Sequence, residues 1–92
     1  MITQKLRIRG QVQGVGYRYA LRQEAQRRGV AGWVRNRTDG TVEALLQGSP
    51  ERVAELIAWA RRGPPASRVD DVQIEPTHEE PEHTGFDLRA TV

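Results

Sequence analysis

The chain has 92 residues, room for one domain around one core, and 37% of them are apolar, enough for a two-layer fold. It has no cysteine, which excludes disulfides, thiolate metal sites and cysteine nucleophiles. The opening residues lack the apolar run of a signal peptide, and no stretch reaches membrane-spanning length, so a cytoplasmic protein without a membrane partner is expected.

The predicted elements follow in chain order. Leu6, Ile8, Gly10 and Val12 alternate with Arg7, Arg9 and Gln11, the period of a half-buried strand. After the glycine-rich stretch Gly14-Val15-Gly16, a helix is predicted from Tyr17 to Arg28, closed by Gly29. Within it Tyr17, Leu21 and Ala25 share a face. A second strand runs from Val30 to Asn36, then the turn Thr38-Asp39-Gly40, then a third strand from Thr41 to Gln47. Ser49-Pro50-Glu51 opens a second helix as N-cap, first-turn proline and dipole-complementing acid, with Val53, Leu56, Ile57 and Ala60 as its apolar stripe. Gly63-Pro64-Pro65 ends it. Val69 to Glu75 forms a fourth strand, a polar acidic loop spans Pro76 to Thr84, and Phe86, Leu88 and Ala90 alternate in a short final strand.

This order predicts an α+β fold over 1–92: a ferredoxin-like β-α-β-β-α-β sandwich, its antiparallel sheet carrying both helices on one face, with a short C-terminal strand. In that topology the first two strands run parallel with only the third between them. The glycine loop and Asn36 then lie on the same sheet edge, about 10 Å apart in backbone.

Charge is unevenly spread. Residues 1–40 hold nine basic side chains against two acidic ones, and 41–92 hold five against ten. A basic half suggests an anionic ligand, phosphate or nucleic acid, although basic side chains are also ordinary surface residues. The segment Gln11 to Arg18 runs from strand to helix, so its N–H groups and the positive helix end converge on one spot, which Gly14 and Gly16 leave unobstructed. Arg18, in the first helical turn, can grip a phosphate through two donors. Glycines before a helix are also common in plain turns, and the lysine and serine or threonine of a Walker A loop are missing. Asn36 alone reads as a turn residue, but its position lets a neutral amide fix a water beside a bound phosphate.

Gly10-Gln11-Val12-Gln13-Gly14-Val15-Gly16-Tyr17-Arg18 resembles the first signature of the acylphosphatase family. Gly32-Trp33-Val34-Arg35-Asn36, with Gly40-Thr41-Val42 and Gly48, is similar to the second. Tyr17 stands where phenylalanine is also usual, and Ser49 follows Gly48. The resemblance implies hydrolysis of acyl phosphates, with Arg18 and the amides of Gly14, Val15, Gly16, Tyr17 and Arg18 binding the phosphoryl group. It also implies that Asn36 positions the attacking water. No cofactor and no metal are expected, inorganic phosphate or sulfate should compete with substrate, and the protein should be a monomer.

Several features are set against this reading. His78 and His83, with Glu79, Glu80 and Glu82, match no tetrahedral metal spacing and read as a solvated loop. Asp70 and Asp71 are adjacent, so on a strand they face opposite sides. Trp33 and Trp59 read as packing residues. An RNA-recognition module shares the element order, but the first and third strands offer no aromatic platform for bases, so no nucleic-acid partner is expected. The short chain favours a free-standing enzyme over the acylphosphatase-type domain that opens larger carbamoyl-transfer proteins.

Overall fold

A computed structural model describes residues 1–77 and 81–92. In chain order it contains β1 (Ile2–Gln11), α1 (Tyr17–Arg28), β2 (Ala31–Asn36), β3 (Val42–Gly48), α2 (Pro50–Ala60), β4 (Arg68–Glu75) and β5 (Phe86–Leu88). The strands form one sheet in the order β4-β1-β3-β2-β5. The four longer strands pair antiparallel, as expected. β5 pairs parallel with β2, so the sheet is mixed and not wholly antiparallel. The long return after β4 allows this, because a parallel neighbour needs a crossover and not a tight turn.

Strand alternation decides what lies on each face. Leu6 and Ile8 of β1, Ala44 and Leu46 of β3, Val34 of β2, Val72 of β4 and Phe86 of β5 point to one side. There they meet Tyr17, Leu21 and Ala25 of α1 and Val53, Leu56 and Ala60 of α2, which places both helices on that face. Trp59 packs at the edge of this core, tilted against Tyr17 at a ring separation of 5.9 Å.

The other face is built from charge. Glu43 of β3 is 1% exposed, surrounded by Lys5 Nζ at 3.0 Å, Arg35 Nε at 2.7 Å, Arg37 Nη1 at 3.1 Å and Arg7 Nη2 at 3.7 Å. Burial alone would raise its carboxyl, but hydrogen bonds from Arg35 and Lys5 outweigh that and hold it at about 2. Trp33 lies on this face too, buried with the guanidinium groups of Arg35 and Arg89 each 4.7 Å from its ring centroid. Both tryptophans are thus packing residues.

Of the strand boundaries that move by one residue, two do so for identifiable reasons, while β3 also gains Gly48 and β4 gains Arg68. Val30 stays out of β2 because its N–H closes α1, donating to Ala25 O at 2.9 Å behind left-handed Gly29. Thr41 stays out of β3 because its N–H and hydroxyl both donate to Asp39 Oδ1, at 2.9 and 2.6 Å, closing the turn. The final strand also ends at Leu88, before Ala90.

Candidate active site

Val42 organises the site edge of the sheet: it pairs with Ile8 of β1 on one side and Asn36 of β2 on the other. The exit of β1 and the end of β2 therefore sit two strand spacings apart, about 10 Å. Between β1 and α1 the backbone turns through Gly14 (φ 74°) and Gly16 (φ 79°). Both lie in the left-handed region, which a side chain disfavours, and open space surrounds both, so the path to the backbone is clear.

The two helix starts contrast. At α2, Ser49 Oγ accepts from Arg52 N at 3.3 Å and Glu51 stands in the first turn. At α1, Gly16 is the N-cap, no side chain caps, and the first turn has no acid. Among the described residues, the N–H groups from Gly14 to Tyr19 find no acceptor. The positive end of α1 is left for an outside anion.

A cavity of about 150 Å³ opens at this point, lined by Val12, Gly14, Gly16, Tyr17, Arg18, Tyr19 and Asn36. Arg18 forms no ion pair among the described residues, unlike Lys5, Arg7, Arg35 and Arg37, whose charges converge on Glu43. Four of the nine basic side chains of residues 1–40 are therefore occupied with this buried carboxylate, and Arg27 and Arg28 pair with Glu24. Asn36 Oδ1 is shielded from solvent and has no hydrogen-bond partner among the described residues. An acceptor orphaned at a cavity wall is costly unless something donates to it there.

Most of the sequence-predicted site residues meet in this cavity. Val15 is the exception; its side chain packs against the core. Tyr17 contributes backbone only, since its hydroxyl donates to Ala60 O at 2.8 Å inside the core, where burial pushes the phenol well above its ordinary pKa. His83 is held away from the site, its N–H donating to Gln47 Oε1 at 2.8 Å. His78, Glu79 and Glu80 lie outside the described residues, and among those described no three His, Asp or Glu side chains gather to hold a metal.

The family model for acylphosphatase covers residues 4–88. The chain belongs to the acylphosphatase family. It is 52% identical over 90 residues to an acylphosphatase of Thiobacillus denitrificans, covering 98% of this chain and 99% of the relative. An acylphosphatase of Thermococcus kodakarensis is 57% identical over 77 residues, 84% of this chain and 82% of its own. The crystal structure of acylphosphatase from Bacillus subtilis superposes with a TM-score of 0.91 at 35% identity, covering 97% of this chain and 99% of that one. Acylphosphatases are hydrolases, and this chain is an enzyme of that type.

Three residues of this acylphosphatase chain's site are silent in its sequence. Gln13 Nε2 donates to both Arg37 O and Thr41 O at 2.8 Å, tying the glycine loop to the hairpin that carries Asn36. Val92 braces the far side of β2, its N–H donating to Asn36 O at 3.4 Å while its carbonyl accepts from Thr38 N at 2.9 Å. Tyr19 lines the cavity yet is 58% exposed. The Gln13 brace is testable by stability alone. Gln13→Ala should lower the unfolding free energy by about 1–2 kcal/mol, two modest hydrogen bonds. Gln13→Glu should cost more, because a carboxylate would face two carbonyl oxygens. Urea unfolding of the three proteins at neutral pH checks this order.

Proposed function

We propose that this chain hydrolyses the mixed anhydride of acyl phosphates, releasing a carboxylate and inorganic phosphate. Its phosphoryl site is the cavity between the glycine loop and Asn36. The observation that carries the reading is the shared cavity itself: loop residues whose amides have no acceptor, Arg18 with no ion pair (both among the described residues) and Asn36 line it together.

The chemistry asks for little more. Backbone N–H groups from Gly14 to Arg18 and the Arg18 guanidinium hold the phosphoryl oxygens and spread their charge. The Asn36 amide holds a water and aims its lone pair at phosphorus. The water oxygen bonds to phosphorus as the bond from phosphorus to the acyl oxygen breaks, and that electron pair leaves with the carboxylate. Both water protons remain on the phosphate, giving dihydrogen phosphate, so no protein group is left protonated or deprotonated. The leaving carboxylate has a conjugate acid of pKa about 4, so no general acid is needed. A loose transition state makes little demand on the nucleophile, so no strong base is needed either.

The test is benzoyl phosphate hydrolysis in excess EDTA. Turnover should persist under chelation, because the positive charge is supplied by Arg18 and backbone amides. Inorganic phosphate and sulfate should inhibit competitively. Loss of turnover on chelation with recovery on one added metal, or phosphate inhibition that substrate does not relieve, would overturn the reading.

A further inference from the structure

We propose that Tyr19 forms the acyl subsite, and that its ring selects acyl phosphates with a planar aromatic acyl group. This rests on the phosphoryl site assigned above. The cavity, at about 150 Å³, is smaller than the roughly 300 Å³ at which pockets for whole small-molecule ligands begin, so part of the substrate lies outside it.

In-line attack places the leaving group opposite the water. Asn36, which holds that water, is only partly exposed where it lines the cavity, whereas Tyr19 is exposed. The acyl group therefore points outward, to the mouth. Tyr19 is the one lining residue there with a large exposed side chain, 58% accessible, two positions along α1 from the core-facing Tyr17 and so turned away from the core. Its ring is not loose. The guanidinium carbons of Arg18 and Arg22 lie 5.9 and 5.6 Å from its centroid, within cation–π range, so the ring is steadied beside the phosphate-binding arginine. A flat apolar group leaving the cavity would meet a held aromatic surface, which favours ring-on-ring contact over a short aliphatic chain.

The experiment compares kcat/KM for benzoyl phosphate and acetyl phosphate in the unaltered protein, Tyr19→Ala and Tyr19→Phe. The benzoyl-to-acetyl ratio should fall about tenfold in Tyr19→Ala, the size of one lost aromatic contact, and be restored in Tyr19→Phe, which keeps the ring. Thermal melts confirm that the exposed substitutions leave the fold intact. A ratio unchanged within about twofold in Tyr19→Ala, with both substrates still hydrolysed, overturns the acyl subsite alone. A fall that Tyr19→Phe fails to restore shifts the role from the ring to the hydroxyl and also overturns it. If the unaltered protein hydrolyses neither compound, the acyl phosphate reading itself falls, and the subsite with it.

Discussion

Arg18→Ala is expected to cut kcat for an acyl phosphate by on the order of 100- to 1000-fold and to remove competitive inhibition by phosphate. Arg18 lines the cavity with no ion pair among the described residues, so its full charge is available to a phosphoryl group. That interaction exists in the ground state and strengthens as the bond to the acyl oxygen loosens, so binding and turnover should fall together. Asn36→Ala should separate the two. Its amide is proposed to touch the nucleophile only, so kcat should drop by a similar order while the phosphate inhibition constant stays within about threefold. The check is kcat, KM and phosphate Ki for both variants, with circular dichroism for folding. Near-full kcat in Asn36→Ala, or loss of its phosphate binding, would remove the water-positioning role.

That Arg18 and Asn36 come to one cavity is legible because their signals are local. A glycine pair before a helix and an asparagine at a strand end are read within a few residues, and the β-α-β-β-α-β order brings them to one edge. The family signatures reinforced the same two places. What stayed hidden depends on contacts between distant segments. Gln13 gives no hint that its amide will span 24 and 28 residues to the carbonyls of Arg37 and Thr41. Val92 lies in the least patterned part of the chain, yet it hydrogen-bonds the backbone of Asn36. Tyr19 falls off the apolar stripe of α1, and a lone exposed aromatic carries no period to read. The parallel pairing of β5 was equally invisible, since alternation gives the face of a strand but not the direction of its neighbour.

The charge asymmetry is partly explained by the fold. Nine basic side chains in residues 1–40 suggest an anionic ligand but are also ordinary surface residues. Strand order divides them, because β1 and β2 flank β3 and bring Lys5, Arg7 and Arg35, with Arg37 just beyond, onto Glu43. In the sequence, Glu43 is merely the polar member of an alternating strand. Its neighbours in space make it a buried counterion, while Arg18, which lines the cavity, forms no ion pair among the described residues.

Glu43→Gln should therefore destabilise the protein by about 2–3 kcal/mol at neutral pH, and the loss should vanish in acid. Its folded-state carboxyl, at about 2, is depressed from an ordinary 4.5. A depressed carboxyl stabilises fully above the unfolded value, so this contribution is complete above about pH 4.5 and is lost as pH falls through about 2. The gap of roughly two and a half units would be worth ~3 kcal/mol at 1.36 kcal/mol per unit. The four cationic partners keep 15–31% of their side chains exposed, so solvent screening trims that figure. The variant also leaves Lys5, Arg7, Arg35 and Arg37 crowded with no carboxylate between them, which adds repulsion at every pH. Urea unfolding from pH 7 down to pH 2 should show two curves that start about 2–3 kcal/mol apart and converge below pH 4.5. Arg35 and Arg37 flank Asn36 and both bond Glu43 Oε1, so acid that releases them should also loosen the end of β2. Parallel stability curves across this range would show that Glu43 ionisation does not hold the charged face together.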